Sequence, residues 1–205
     1  MNIYIVETEY AARNLIELIW KERADYERLL KKAQELARGS QFMFDIYSER
    51  ALNDDWDELQ TIGYWYRGAE ADTQAKETRG EAAQLNSQMA IHDASVKGLC
   101  GALLQVAKQG ISIVHGKLSA CPSGRILGQE VLANIIWQAR NQAIHFEEGK
   151  FHPAVVQCFQ KLEQDHGANF SLTLNRGKNL AFRVVELLGW KTYADYERDM
   201  ALILP

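Results

Sequence analysis

Proline is scarce in this chain, with three in 205 residues. Each proline inside a helix removes a hydrogen bond and clashes with the preceding turn, so a chain this poor in proline can run long uninterrupted helices. The apolar pattern agrees. From about residue 7 to 38, Leu15, Leu18, Ile19, Tyr26, Leu29, Leu30 and Ala33 recur at steps of three and four with charges between them, the mark of an amphipathic helix. Gly39 and Ser40 are the expected stop. The length suits one domain with a sizeable core, and the expectation is a single all-α domain over 1–205. Within it, 1–85 form a long-helix elaboration on a helical core of 86–205.

After a short segment over 42–51, Asn53 reads as an N-cap, and Asp54, Asp55 and Asp57 suit the positive end of a helix dipole. A second helix is expected over about 54–85, and a third over 87–109. Gly98 and Gly101 would permit close helix packing in the third. Residues 111–114 are the one place where a strand competes, and 116–128, with Cys121-Pro122-Ser123-Gly124, is the clearest loop. A fourth helix should run from about 128 to 148 and end at Gly149. A fifth should open at Pro153 and reach about His166, and two more, over 176–188 and 193–202, should flank Gly189.

Composition narrows function mainly by exclusion. The net charge of −4 offers no bulk attraction for nucleic acid, so any polynucleotide contact should be local. Cys100, Cys121 and Cys158 are odd in number and without a CxxC spacing, so neither a disulfide framework nor a metal site is expected. The N-terminal MNIYIVETEY has no basic n-region or long apolar stretch, and no run approaches 18 apolar residues. A cytoplasmic protein without a membrane segment is the expectation. No P-loop, GxGxxG, GxSxG or paired-carboxylate pattern occurs, and no cofactor is expected.

One constellation carries chemistry. The fourth helix reads GQEVLANIIWQARNQAIHFEEG and ends on Arg140-Asn141-Gln142-Ala143-Ile144-His145. This Arg-Asn-x-x-x-His form is expected by chance in roughly one sequence in eighty of this composition. It resembles the signature of the HEPN superfamily, whose motif lies near the end of a long helix in a small bundle. The resemblance implies an endoribonuclease that needs no metal, pairs two copies of the motif across a homodimer, and leaves 2′,3′-cyclic phosphate ends. Arg140, Asn141 and His145 would be the catalytic residues and RNA the substrate. It also implies a toxin or antiphage defence effector, with an antitoxin or regulatory protein as a further partner.

The residue types fit that chemistry. Histidine titrates near neutral pH and can take the proton of a 2′-hydroxyl or give one to a leaving oxygen. Arginine presents a fixed fork of donors to phosphate oxygens, and Asn141 can orient the histidine or hold a phosphate oxygen. At about 100° per residue, Leu132, Ile135, Ile136, Ala139, Ala143 and Phe146 share a core face. Ala133, Trp137 and Ile144 share the opposite one, read as a subunit contact. Asn141 and His145 are i,i+4 neighbours.

Plainer readings stand beside these. Arg140 and His145 can be a surface arginine and a helix-terminal histidine favoured by the dipole. The chain as a whole can be a non-catalytic helical adaptor that uses the Trp137/Ile144 face. Glu147 and Glu148 read as a solvated end, although one of them could steer His145. Ser123-Gly124-Arg125 beside Lys117 reads as a loop before an anion site. Trp56, Tyr64, Trp65 and Tyr66 read as helix core before base-stacking groups.

Overall fold

In the computed structural model, Asn2 opens the first helix, accepting a hydrogen bond from the backbone N–H of Tyr4 through Oδ1 at 3.0 Å, as an N-cap does. Residues 2–50 and 58–205 are described, with side chains described for 2–38, 66 and 73–205. The fold is all-α. Among the described residues six α-helices are joined by short 3₁₀ turns and one two-residue hairpin: α1 (Ile3–Arg50), α2 (Glu58–His115), β1 (Ile126–Leu127), β2 (Glu130–Val131), α3 (Leu132–His145), α4 (Pro153–His166), α5 (Ala181–Leu188) and α6 (Tyr193–Ile203). Among the described residues no helix is long and apolar enough to cross a membrane.

The two N-terminal helices are longer than expected. α1 starts at Ile3 and continues through Gly39 and Ser40 to Arg50, because one glycine in a helix interior costs only about 1 kcal/mol. α2 absorbs the break expected at 85–87. Ser87 lies within it and turns its hydroxyl back to the Ala83 carbonyl at 3.1 Å, satisfying itself without ending the helix. The stretch 111–114 is also helical, with Ile111 fully buried. The N-cap expected at Asn53, with Asp54, Asp55, Trp56 and Asp57, lies outside the described residues, as do the side chains of Tyr64 and Trp65. Tyr66 is exposed rather than core.

The chain forms two units, Met1–Glu22 with Ala94–Pro205, and Arg23–Asp93. The second carries local ion pairs, Arg23 with Glu27 at 2.8 Å and Arg28 with Asp25 at 2.9 Å. The first unit holds the hydrophobic core. Ile5, Ala12, Ile16 and Ile19 of α1 join Cys100, Leu103, Leu104, Ala107 and Ile111 of α2, Leu132, Ile135, Ile136 and Ala139 of α3, and Trp190, Tyr196 and Ile203 near the C-terminus. Gly101 lies where α2 meets α3, but a Cβ there would stand 3.9 Å from that of Ala143, in ordinary van der Waals contact, so the packing does not require glycine at this position. Gly110 is tighter. A Cβ at that position would come within 2.7 Å of the Tyr4 ring, whose hydroxyl donates to the Val106 carbonyl at 2.7 Å.

The entry to α3 is built by the hairpin. Ile126 pairs with Val131 and Leu127 with Glu130, so Gly128 and Gln129 form the two-residue turn and the helix begins at Leu132 rather than 128. Gly128 has φ 61°, which suits such a turn. Downstream, α4 opens with Pro153 in its first turn behind His152, whose Nδ1 accepts from the Ala154 N–H. Of residues 176–180, expected to be helical, 176 and 177 end a turn and 178–180 lead into α5 without regular structure.

Candidate functional site

α3 places the Arg-Asn-x-x-x-His residues at its C-terminal end. Eight of its residues are buried, and they include Gln138 and Gln142 beside the expected apolar positions. Ala133, expected to face away from the core, is buried as well. Trp137 packs against the core edge, with the Lys108 ammonium 4.4 Å from its ring centroid. α2 therefore covers part of the face read from sequence as outward. Ile144 remains half exposed.

The two motif ends have different surroundings. Arg140 is half-buried, its Nε donating to Gln105 Oε1 on α2 and one terminal nitrogen donating to Asn141 Oδ1 at 3.2 Å. Its guanidinium thus reaches round the helix toward Asn141, the i,i+4 neighbour of His145. His145 is solvent-exposed on the next turn. Its Nδ1 lies 2.6 Å from Glu148 Oε1. Among the described residues, no hydrogen bond joins Arg140 to His145 within one chain.

The His145–Glu148 pair has a backbone cause. After His145 the helix tightens into a 3₁₀ turn, Phe146–Glu148, and stops at Gly149 with φ 66°. In a 3₁₀ turn the i and i+3 side chains eclipse, which brings Glu148 under the imidazole. An ionised carboxylate only accepts hydrogen bonds. The proton between them therefore sits on Nδ1, and in the neutral ring Nε2 carries the lone pair.

Gln142, a variable position of the pattern, has a structural task. It is 1% exposed, donates through Nε2 to the Lys178 carbonyl at 2.8 Å and accepts the Leu180 N–H at 2.9 Å. Asn179 adds a bond from its side chain to the Ala143 carbonyl at 3.4 Å. These bonds fasten the turns before α5 along the end of α3 that carries His145. Upstream, Glu130 of β2 binds Lys161 at 2.9 Å and Asn134 of α3 at 2.7 Å, and Asn134 in turn accepts from Gln138 at 3.1 Å. This polar row is spaced four residues apart. The spacing was readable in the sequence, but not which polar residues would be buried.

The remaining candidates have structural roles. Arg125, considered for an anion site, is committed to Asp199 through two bonds at 2.7 and 2.9 Å and to the Leu188 carbonyl at 2.6 Å. The His115 Nε2 lies 2.7 Å from the Ile203 carbonyl oxygen. Cys100, Cys121 and Cys158 are free thiols. Burial pushes Cys121 up to about 11 and Cys158 up to about 12, and Cys100 is raised by the same cause. All three stay protonated at neutral pH, so none is an activated nucleophile. Among the described residues, no group of three or more His, Cys, Asp or Glu is arranged to hold a metal ion.

Comparison with protein-family models, with curated proteins and with solved structures finds no match for this chain.

Proposed function

We propose that the protein is a metal-independent endoribonuclease of the HEPN kind, with His145 as acid–base, Arg140 as phosphate clamp and Asn141 as the link between them. The observation that carries this reading is the state of His145. It is exposed, and its Nδ1 is held by Glu148, which leaves Nε2 as a base directed away from that contact. Arg140 supports it by already reaching Asn141.

In the reaction, Nε2 of one His145 takes the proton of the ribose 2′-hydroxyl. The 2′-oxygen bonds to the adjacent phosphorus while the bond from phosphorus to the 5′-oxygen breaks. The leaving 5′-oxygen receives a proton from a protonated His145 of a second copy. A 2′,3′-cyclic phosphate and a 5′-hydroxyl result, and Arg140 donors neutralise the charge on the non-bridging oxygens. Two copies meeting over the half-exposed Ile144 would supply both histidines. The three free thiols suit a reducing cytosol, and an effector role in toxin–antitoxin or antiphage defence, with an antitoxin as regulator, follows from the HEPN resemblance.

The adaptor reading has its own observation. Arg140 is already engaged by Gln105 and Asn141, and an arginine held in this way serves helix packing as well as it serves a phosphate. Cleavage of a mixed RNA pool in EDTA by wild type and His145→Ala separates the two. Cleavage with cyclic phosphate ends that is lost in the variant supports the nuclease. Intact RNA with both proteins supports the adaptor.

A further inference from the structure

We propose that the turn carrying Arg176 and Lys178 binds the phosphate backbone of single-stranded RNA beside His145. The inference rests on the nuclease reading for the identity of the polyanion, and it assigns substrate contacts that the sequence motif does not contain.

The loop is ordered by its own side chains. The Asn175 amide donates to the carbonyls of Ala168, Asn169 and Ser171 at 3.3, 3.3 and 2.9 Å. The Lys178 N–H returns to the Asn175 carbonyl at 3.0 Å, closing a turn whose third residue, Gly177, has φ 69°. Such a turn requires a left-handed residue at that position. Asn179, one residue before the N-cap of α5, accepts from the Ala181 N–H at 2.8 Å. The buried Gln142 then pins this turn to α3 from both sides of Asn179. The backbone is fixed, and what it displays are two cations.

Arg176 and Lys178 are exposed. Neither forms an ion pair or side-chain hydrogen bond among the described residues. Three other exposed cations of this unit face a carboxylate, Arg183 with Glu186, Arg198 with Asp195 and Lys161 with Glu130, whereas Arg176 and Lys178 face solvent beside the motif helix. The position is also specific. Arg176 Nε lies 3.9 Å from where a Cβ on Gly149 would stand, one residue beyond Glu148. Gln142, which holds the Lys178 carbonyl, is about 60° around α3 from His145 at 100° per residue. Arg140 and Asn141 flank His145 from its other side. A strand of phosphates crossing His145 would thus meet donors on both sides. In a protein of net charge −4, such local cations are what a short contact requires.

The test is binding of a short, unstructured, fluorescently labelled oligoribonucleotide by His145→Ala protein, which holds the RNA uncut. It is followed by anisotropy across a salt series. Arg176→Ala/Lys178→Ala should weaken binding on the order of tenfold at low salt and flatten the salt slope by about 1.4, from roughly 0.7 per cation lost on a single strand. Lys31→Ala/Lys32→Ala, which removes the same charge from exposed positions of α1, should leave both unchanged. Equal loss in the two double variants, unchanged binding in the loop variant, or no binding by the parent each overturns the assignment. Binding through the loop without cleavage by wild type would uphold the loop and overturn the nuclease. Cleavage with binding indifferent to the loop would do the reverse. Unchanged melting of the loop variant confirms that its fold is intact.

Discussion

His145 and Glu148 face one another across a single 3₁₀ turn, with imidazole Nδ1 2.6 Å from carboxylate Oε1. Both are exposed, so their coupling is at most about 1 kcal/mol, or roughly fivefold in a rate that depends on it. If the protein is the nuclease proposed above, Glu148→Gln should lower RNA cleavage by about that factor. It should also let the neutral imidazole populate both tautomers, which ¹⁵N chemical shifts of His145 would show. Glu147→Gln should do neither. Identical histidine shifts in Glu148→Gln and wild type would remove Glu148 from the site.

Gln142 shows how a motif helix can be held in place by a residue the motif does not specify. Gln142→Leu removes the acceptor of the Leu180 N–H and the donor to the Lys178 carbonyl, leaving two poorly solvated backbone groups. At about 1–3 kcal/mol for a buried unsatisfied group, a loss of about 2 kcal/mol or more in denaturant unfolding is expected. Faster amide exchange at Leu180 should accompany it. A loss below about 0.5 kcal/mol would mean that water replaces the side chain.

Much of the fold was legible because the signals are local. Pro153 opens α4, and Gly149 and Gly189 end their elements at the expected residues in left-handed geometry. The breaks at Gly39-Ser40 and 85–87 were misread because weak stop signals do not end a helix whose neighbouring turns favour continuation. The hairpin at Gly128 was missed because two-residue strands leave no periodicity. For the site, sequence placed Arg140, Asn141 and His145 on one helix end. It did not reveal that Gln105 occupies Arg140, or that residues 175–179 lie against α3. Those contacts join positions about 35 residues apart in the chain, and pairings of that kind have no periodic signature.

Gly128 and Asp165 are coupled by space. Gln129 donates to Asp165 from its backbone N–H at 2.6 Å and from its side chain at 2.9 Å, and these bonds hold the Asp165 carboxyl below its usual value. A Cβ at position 128 would stand 2.2 Å from Asp165 Oδ2, in a backbone conformation that already disfavours alanine. Gly128→Ala should therefore cost about 1 kcal/mol or more, and Asp165→Ala should relieve part of that cost. A double-mutant cycle in urea measures the coupling, and strictly additive losses would rule it out.

The same carboxylate has a pH signature. Its folded pKa lies below the unfolded one, so its contribution is complete above the ordinary aspartate value of about 3.9 and is lost as pH falls through the lower folded value. Asp195, lowered by the Thr192 hydroxyl and N–H of the α6 capping box, follows the same sign. The melting-temperature gap between wild type and Asp165→Asn should be constant from pH 7 to about 5 and shrink below about 4. A gap that widens on acidification would contradict the hydrogen-bonded, ionised state.

Asp199 ties three elements of the core together. Its two oxygens accept from Arg125, and Oδ2 also accepts from the Trp190 indole N–H at 2.9 Å. The Trp190 carbonyl in turn accepts from the Trp20 indole at 2.8 Å. α6, the loop before the hairpin and α1 therefore share one network. Asp199→Ala strands a buried indole donor and leaves Arg125 with only the Leu188 carbonyl. Breaking a buried pair costs about 3–5 kcal/mol. Arg125 is 38% exposed in its side chain and can turn toward water, which brings the expected loss to about 2–3 kcal/mol. Asp199→Asn keeps one acceptor for Trp190 and should lose less. Urea unfolding followed by tryptophan fluorescence reads the midpoint. Equal midpoints for Asp199→Ala and wild type would show that the network orders the core without stabilising it.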